Sequence, residues 1–470
     1  MNDTDILSQI KGLTADSRMV RRGWLFAALQ GKIADGRLFI QDALINGASI
    51  ILAPEGTELP DGADVTLITD PDARRRFALL AAGFYKLQPQ TVAAVTGTNG
   101  KTSTVTFASQ LWDALGKTSA SLGTLGIVSR ITMKKGGLTT PDPVQLQAEL
   151  ADLAAAGISH LAMEASSIGI DQRRLDGVKL SAAAFTNLTH DHLDYHGTMD
   201  AYFESKARLF DTLLPADAPA ILYTDDPYGE KLSHMIKQPK IRIGSGKGCE
   251  IRVDKQTPTP FGQILDVTAA GNAYRINLPL VGLFQGINAL TAAGIVMGTE
   301  KIGFDVLVPH LENLRGVPGR LQLVPGAPVY VDYAHTPHGL ETVLEAIRPH
   351  TQGRLVVVFG CGGDRDKGKR PVMGGIATKL ADLAIITDDN PRSENPETIR
   401  AEIRAGAPNA AEIGDRRTAI REAIAGLDPG DVLVIAGKGH EQGQIINSEI
   451  LPFDDVQEAA DAIGELRRAV

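Results

Sequence analysis

The stretch that decides the fold of this 470-residue chain is Val95-Thr96-Gly97-Thr98-Asn99-Gly100-Lys101-Thr102-Ser103. It follows an apolar run at residues 91–95, which predicts a buried strand, and precedes residues 104–115, which we predict to be helical. A glycine-rich turn between a strand and a helix brings backbone N–H groups and the helix N-terminus close to phosphate oxygens. Lys101 adds a positive charge, and the Thr102 hydroxyl is available to magnesium. The spacing is the short form Gly-x-x-Gly-Lys-Thr, because Val95 stands where the usual loop begins with glycine.

Composition limits the class of protein and of partner. The length predicts two to four domains. The net charge is −9 and no Lys/Arg-rich block occurs, which argues against nucleic acid as a partner. No apolar run of about 18 residues predicts a membrane span, and the first residues lack the features of a secretory signal. Because only Cys249 and Cys361 occur, without metal-ligand spacing, we expect a cytoplasmic protein.

Strands and helices alternate along most of the chain, which predicts an α/β fold. We divide the chain into residues 1–88, 89–318 and 319–470. The second block is predicted to be a parallel-sheet domain that carries the phosphate loop, and the third a Rossmann-like, doubly wound domain. The predicted elements are strands at residues 160–164, 182–187, 328–332, 355–359, 383–387 and 432–436, and helices at 38–46, 145–156 and 201–214.

Two polar features follow strands of the second block. Glu164 ends one predicted strand, and residues 189–196 contain three histidines and two aspartates, including His192. Such a cluster is typical of magnesium–phosphate chemistry or of a zinc site. Zinc is the less supported alternative, since cysteine ligands and an H-E-x-x-H motif are absent. Lys206 lies on the predicted helix 201–214, and nothing local distinguishes it from a surface lysine.

Three polar turns follow three strands of the third block, at residues 360–370, 388–392 and 437–441. Because parallel strands place their carboxyl ends at one edge of a sheet, these turns are expected to form a single crevice. Arg365 and Arg392 lie in two of them, and a guanidinium binds a carboxylate with two parallel hydrogen bonds. The third block is therefore predicted to bind a carboxylate ligand.

The order of these motifs resembles that of the Mur ligases, the ATP-dependent amide ligases that build the peptidoglycan stem peptide. The resemblance covers nearly the whole chain. It rests on the loop at residues 97–102, on Ala162-Met163-Glu164-Ala165-Ser166-Ser167, on residues 186–196, on Val331-Asp332-Tyr333-Ala334-His335-Thr336-Pro337 and on the three C-terminal turns.

The resemblance implies an ADP-forming ligase that adds meso-diaminopimelate to UDP-MurNAc-L-Ala-D-Glu through an acyl phosphate, with ATP and Mg²⁺ as cofactors. The first block would bind the UDP part, the second ATP and the third the amino acid, and we expect a monomer. The implied catalytic residues are Lys101, Glu164, His192 and Lys206, and the implied metal ligands are Thr102, Glu164, His192 and Lys206, the last as a carbamate.

The resemblance also implies the binding residues. For ATP they are Gly97, Thr98, Asn99, Gly100, Lys101, Thr102, Ser103, Asn288, Arg320 and Asp332. For the UDP-linked substrate they are Ser17, Lys32, Ile33, Ala34, Thr139, Thr140, Ser166, Gln172 and Arg174. For diaminopimelate they are Arg365, Asp389, Asn390, Pro391, Arg392, Gly437 and Glu441.

Two positions depart from the family pattern. Ile168 stands where the family usually has histidine, and Gln285 where asparagine is common.

Two alternative functions are also open. The first is the same ligase with L-lysine as substrate, which Arg392 disfavours because lysine has no distal carboxylate. The second is a nucleotide-switch binding protein, which the missing guanine-reading motif and the ligand crevice of the third block disfavour.

Overall fold

The computed structural model describes residues 2–31, 34–134 and 136–469, which form two compact units. The first unit comprises residues 1–251 and 290–304, and the second comprises residues 252–289 and 305–470. Among the described residues, no helix combines the length and the apolar character that crossing a membrane requires.

The first unit begins with a small parallel sheet. Its four strands lie in the order Leu13–Thr14, Trp24–Ala27, Ala48–Pro54 and Thr66–Asp70. Side chains alternate between two apolar clusters, since Leu25 and Ala27 lie in one cluster and Phe26 and Ala28 in the other. Helices in this region are Asp3–Gln9, Ile40–Ile45 and Ala73–Tyr85, with 3₁₀ turns at Ser17–Met19 and Gly36–Phe39.

A larger sheet forms the centre of the first unit. Its strands lie in the order Lys240–Gly244, Ala220–Tyr223, Ala182–Phe185, Thr91–Thr96, His160–Glu164, Ser119–Gly123, Gly126–Ser129 and Met133–Lys134. Strand Thr91–Thr96 is parallel to both neighbours, and its residues alternate between two buried faces. The surrounding helices are Lys101–Ala114, Pro143–Ala155, Ser167–Asp171, Leu193–His196, Met199–Arg208 and Pro227–Met235.

The second unit contains a sheet with helices on both faces. Its strands lie in the order Gln322–Val324, Val329–Asp332, Val432–Ala436, Leu355–Phe359, Leu383–Ile386 and Ala411–Glu412. Val356 and Val358 pack in one apolar cluster with helices Arg416–Ala425 and Asp455–Ala469, while Val357 and Phe359 pack in another with Pro337–Ile347, Lys369–Leu380 and Pro396–Arg404. This is the predicted doubly wound arrangement, so the α/β fold class is confirmed.

Shorter elements complete the chain. Three strands follow one another as neighbours: Ile251–Thr259, Gly262–Ala269 and Asn272–Leu278, and the last two are antiparallel. A separate hairpin pairs Gln444–Ile446 with Glu449–Leu451. The remaining elements are helices Leu283–Glu300 and Val308–Leu311 and the 3₁₀ turns Phe304–Val306 and Arg348–His350.

Two predicted helices differ from the observed ones. The helix predicted at residues 201–214 is α-helical only over Met199–Arg208, and a π-helical turn follows at Leu209–Leu213, just before Pro215. The helix predicted at 38–46 begins as a 3₁₀ turn and is α-helical only from Ile40. In both cases the apolar pattern predicts the buried face, but it does not distinguish the hydrogen-bond spacing of the turns.

Candidate active site

The phosphate loop connects the central strand Thr91–Thr96 to the helix Lys101–Ala114. Two of its glycines have positive φ, +147° at Gly97 and +86° at Gly100. A Cβ at Gly97 would lie 1.9 Å from the Thr186 hydroxyl oxygen, so only glycine fits there. The loop backbone and the first turn of the helix therefore form an anion-binding cradle, as the sequence predicts.

The segment that follows strand Ala182–Phe185 holds the phosphate loop from one side. The Thr98 backbone N–H donates to the Asn187 carbonyl at 2.8 Å, and the Asn99 N–H donates to Asn187 Oδ1 at 3.0 Å. The Thr186 hydroxyl donates to the Asn99 carbonyl at 2.6 Å. These contacts within the protein restrain the loop conformation, which lowers the entropic cost of binding.

Lys101 and Lys206 converge on one atom of this loop. Lys206 Nζ donates to the Gly97 carbonyl at 2.8 Å, and Lys101 Nζ donates to the same oxygen at 2.9 Å. Lys206 is only 1% exposed, and no carboxylate pairs with it among the described residues. Burial, followed by the nearby charge of Lys101, holds the pKa of Lys206 well below its usual value. A lowered pKa increases the fraction of this amine that is neutral and therefore nucleophilic.

His192 lies near the phosphate loop, and the Tyr202 side chain connects the two. Its ring and the Tyr202 ring are 6.2 Å apart, and the Tyr202 hydroxyl lies 3.2 Å from the Thr98 hydroxyl. Burial raises the pKa of Tyr202 to about 12, so this phenol stays protonated. The His192 backbone has a positive φ of +51°, and its side chain is 47% exposed. The imidazole is thus accessible beside the phosphate loop.

Glu164 is a buried carboxylate at the end of its strand. Its oxygens accept hydrogen bonds from the backbone N–H of Thr124 at 2.9 Å and from the Thr124 hydroxyl at 3.2 Å. Glu164 is 1% exposed, and none of the described residues neutralises it with a positive charge. A buried carboxylate without a cation fits a magnesium ligand, since Mg²⁺ binds few protein oxygens beside nucleotide phosphates. No cluster of three or more His, Cys, Asp or Glu suited to a metal occurs in the described part of the chain.

The residues predicted to hold the muramoyl dipeptide form one connected network. The Thr140 hydroxyl donates to the Glu164 carbonyl at 3.0 Å and accepts from the Ser166 N–H at 3.0 Å. Arg174 donates to the Thr140 carbonyl at 2.6 Å and to Gln172 Oε1 at 2.8 Å. Thr139 joins the network through the Thr124 hydroxyl at 3.2 Å. These predicted positions therefore lie together, beside Glu164.

A cavity of about 530 Å³ adjoins this network within the first unit. Gln172 and Tyr195 line one side, and Gln30, Gly31 and the start of helix Ala73–Tyr85 line the other. Arg74 is the cationic side chain among the residues that line it, and its guanidinium donates to the Gln30 carbonyl. The volume lies in the range of small-molecule sites. Nothing in the local sequence marks Arg74, and it was not predicted.

Of the residues predicted to bind the uridine part, Ser17 and Ala34 are described. Ser17 is buried, and its carbonyl accepts a hydrogen bond from Asn46 at 2.9 Å. The Ala34 carbonyl accepts from the N–H of Gly31, a lining residue of the cavity, at 2.9 Å. Lys32 and Ile33 lie outside the described residues.

Asn288, Arg320 and Asp332, predicted to contact ATP, lie together in the second unit. Asn288 donates to Gln285 Oε1 at 3.0 Å, and Gln285 contacts the Arg320 carbonyl at 3.4 Å. Asp332 accepts from two backbone N–H groups, those of Leu321 and Ala334, and burial raises the pKa of this carboxyl despite the charge of Arg320. Gln285 thus links Asn288 to the backbone of Arg320.

Residues of the three turns that are predicted to bind the amino acid also contact one another in the second unit. Asn390 Nδ2 donates to Glu441 Oε2 at 2.9 Å, which joins two of the three turns. Gly437 has a φ of +118°, and a Cβ there would lie 2.7 Å from Asp389 Oδ2. Arg392 donates to the Gly363 carbonyl at 2.8 Å, which joins the second turn to the first. The three turns therefore lie together in the second unit, and the ligand crevice stays a prediction.

The charges around this pocket are unevenly balanced. The neighbouring arginines Arg370, Arg400 and Arg416 each pair with one or two carboxylates. Arg365 and Arg392 pair with no carboxylate among the residues that the structure describes. Both side chains lie near Gly362, since a Cβ there would lie 2.7 Å from Arg392 Nη1 and 3.8 Å from Arg365 Cγ. Two arginines on neighbouring turns, neither paired with a described carboxylate, favour an anionic ligand.

The fold and the site define an α/β enzyme with a glycine-rich phosphate loop in its first unit and a group of contacting polar turns in its second. Three family models match the chain: "Mur ligase family, catalytic domain" at residues 9–85, "Mur ligase middle domain" at 95–296 and "Mur ligase, glutamate ligase domain" at 319–439. The chain belongs to the Mur ligase family, as the sequence motifs predict.

Individual relatives agree with this assignment. A protein of Caulobacter vibrioides named UDP-N-acetylmuramoyl-L-alanyl-D-glutamate–2,6-diaminopimelate ligase is 53% identical, over 97% of this chain and 95% of its own length. The protein of that name from Brucella melitensis is 50% identical, over 97% and 94%. A solved structure of an enzyme with this name matches with a TM-score of 0.73 at 34% identity, covering 97% of this chain and 95% of its own.

Proposed function

We propose that this chain is the cytoplasmic ligase that joins meso-diaminopimelate to UDP-MurNAc-L-Ala-D-Glu with hydrolysis of ATP to ADP. The observation that carries the proposal is the unpaired state of Arg365 and Arg392 in a region where the other arginines are neutralised. Diaminopimelate has a second carboxylate that lysine lacks, so it would neutralise the charge of the half-buried Arg392, which lysine would leave unpaired. The names of the relatives from Caulobacter and Brucella support the same substrate.

Three functional domains follow from this proposal. Residues 1–88 would bind the UDP part, residues 89–318 would bind ATP, and residues 319–470 would bind diaminopimelate. The family matches at 9–85, 95–296 and 319–439 support these boundaries. The cavity between Gly31 and Gln172 supports the first assignment, since it lies between residues proposed for uridine and residues proposed for the dipeptide.

The chemistry has two steps. A carboxylate is a poor electrophile, because its leaving group would be oxide. The D-glutamate carboxylate first attacks the γ-phosphorus of ATP, which releases ADP and forms an acyl phosphate. The amine of diaminopimelate then attacks the acyl carbon and loses a proton, and inorganic phosphate leaves. Both steps bring anions together, so positioning and charge neutralisation by the protein dominate the rate acceleration.

The residues have distinct roles in this scheme. The phosphate loop and Lys101 would neutralise the transferred phosphoryl group, and Arg174 would orient the dipeptide through Thr140 and Gln172. Mg²⁺, when bound, would neutralise phosphate charge, and its proposed ligands are Thr102, Glu164, His192 and carbamylated Lys206. The Ser166–Thr140 network beside Glu164 would keep the reacting carboxylate close to the phosphate loop.

A complete reaction tests the proposal. With UDP-MurNAc-L-Ala-D-Glu, ATP, Mg²⁺ and meso-diaminopimelate, we expect phosphate release and a product whose mass is that of the UDP-MurNAc-tripeptide. Omission of either the nucleotide-linked dipeptide or the amino acid should abolish phosphate release. Phosphate release that continues when the nucleotide-linked dipeptide and the amino acid are both absent would instead favour a nucleotide-switch protein.

A substitution at Arg74 tests whether the cavity binds the UDP-linked substrate. We propose that its guanidinium binds the diphosphate that links uridine to the sugar, since it is the cation of the lining and diphosphate is the anionic part of that substrate. Arg74→Ala should raise the KM for the UDP-linked substrate about 10-fold or more, with the KM for diaminopimelate unchanged. Arg75→Ala is the matched control, because Arg75 is 57% exposed and does not line the cavity. Equal KM values in the two variants would refute this role.

A further inference from the structure

Lys438 is a fully buried lysine in the turn that follows strand Val432–Ala436. Its side chain is 0% exposed, although no family motif assigns it a role here. Its ammonium donates to Asn390 Oδ1 at 3.0 Å and to Glu441 Oε2 at 3.2 Å. Burial of a lysine raises the free energy of the folded state unless its ammonium has hydrogen-bond or ionic partners, because burial removes the water that solvates the charge.

The contacts of Lys438 fix which end of the Asn390 amide faces the pocket. The oxygen of that amide accepts from Lys438 Nζ and from the Ile445 backbone N–H at 2.9 Å. Its nitrogen therefore faces Glu441, to which it donates at 2.9 Å. One N–H of Asn390 then remains for a ligand, since an amide nitrogen has two hydrogens.

The same contacts fix the carboxylate of Glu441. Its Oε2 receives two donors, Lys438 and Asn390, whereas no described residue donates to its Oε1. The pocket consequently presents a free amide donor beside a free carboxylate acceptor. A donor next to an acceptor complements an amino-acid centre, in which a carboxylate and an ammonium are attached to one carbon.

We infer that Lys438 is a positioning residue that sets Asn390 and Glu441 to recognise an amino-acid centre of the incoming substrate. The inference rests on the proposed function, because it assigns a task to the proposed diaminopimelate pocket. Lys438 acts through its two partners and does not touch the substrate itself. Its effect is thus specific to diaminopimelate binding and does not extend to ATP or to the UDP-linked substrate.

The surroundings of the turn support a rigid placement of Lys438. Arg416 and Asp455 form an ion pair at 2.7 Å in which both side chains are 0% exposed. Arg416 also donates to the Ala436 carbonyl at 3.0 Å, which fixes the end of the strand immediately before the turn. The Glu441 N–H closes the turn by donating to the Lys438 carbonyl at 3.0 Å.

Steady-state kinetics of Lys438→Met in the full-length enzyme tests the inference. The variant keeps an unbranched side chain of similar length but removes the charge. We expect the KM for meso-diaminopimelate to rise about 10-fold or more, with the KM values for ATP and UDP-MurNAc-L-Ala-D-Glu within about twofold of wild type. Lys438→Gln, whose amide can still donate to one partner, should show a smaller rise. Lys379→Met, at an exposed lysine of the same unit, is the control.

A double variant separates positioning from a loss of folding. If Lys438 acts through Glu441, then Glu441→Gln and the double variant Lys438→Met/Glu441→Gln should have similar KM values for diaminopimelate. An unchanged KM in folded Lys438→Met, an equal rise in all three KM values, or additive effects in the double variant would overturn the inference. Failure of the wild-type enzyme to use diaminopimelate would instead refute the proposed function, so the two failures are distinguishable.

Discussion

Replacement of Lys206 by alanine is expected to lower kcat by about 100- to 1000-fold or more. The side chain is buried, donates to the phosphate-loop carbonyl of Gly97 and has a lowered pKa, so its amine is neutral more often than that of an exposed lysine. A neutral amine attacks CO₂ and loses a proton, which yields a carbamate with a negative charge. That carbamate would replace a cation beside Lys101 with an anion and thereby remove their repulsion.

Two further measurements identify the carbamate itself. Formate or acetate added to Lys206→Ala should restore part of the activity, because a small carboxylate can occupy the space of the carbamate. With ¹³C-bicarbonate, the wild-type enzyme should show a carbamate signal in the NMR spectrum that the variant lacks. Lys179→Ala, at an exposed lysine of the same unit, should retain normal activity. Full activity of Lys206→Ala at ordinary magnesium concentrations would refute the role of this residue.

Replacement of Arg392 by alanine is expected to lower kcat/KM for meso-diaminopimelate about a thousandfold. The Gly363 carbonyl orients the guanidinium, which has no carboxylate partner among the described residues. A hydrogen bond to a charged group contributes roughly 1.5–3 kcal/mol, and a substrate carboxylate left without its partner costs more. The KM values for ATP and the UDP-linked dipeptide should change little, since Arg392 belongs to the amino-acid pocket.

The control for Arg392→Ala is a substitution of another arginine in residues 319–470, one that is already paired with a carboxylate. Arg404 is 45% exposed and bonded to Glu412 at 2.7 Å, so Arg404→Ala should keep the wild-type kcat/KM for diaminopimelate. Arg392→Ala need not use lysine efficiently, because removal of a charge does not build a complementary pocket. A folded Arg392→Ala variant with wild-type kcat/KM would show that another residue selects the substrate.

Local patterns were sufficient to predict most of the fold. The strands at His160–Glu164, Leu355–Phe359 and Val432–Ala436 are apolar runs that end in polar turns, and they occur where the sequence predicts them. The phosphate loop was predictable because glycine, lysine and threonine have fixed spacing there. The end of helix Met199–Arg208 was not, since the apolar pattern continues through the π-helical turn at Leu209–Leu213.

The roles of individual site residues depend on long-range contacts that periodicity does not reveal. Lys206 looks like a surface lysine in the sequence, and its burial results from packing against the loop 109 positions away. Arg74 meets Gln30 across 44 positions, and Lys438 meets Asn390 across 48. Family resemblance identified Lys206 because its motif is shared. Periodicity pointed to neither Arg74 nor Lys438, and the family motif at residues 437–441 contains Lys438 without implying a role for it.

A competition between two amino acids tests the central claim most directly. The enzyme, ATP, Mg²⁺ and UDP-MurNAc-L-Ala-D-Glu would be mixed with equal concentrations of meso-diaminopimelate and L-lysine, and the two tripeptide products would be quantified by mass spectrometry. We predict that the diaminopimelate product exceeds the lysine product by about a thousandfold, because lysine leaves the charge of Arg392 unpaired. Comparable amounts of the two products, or an excess of the lysine product, would contradict the account.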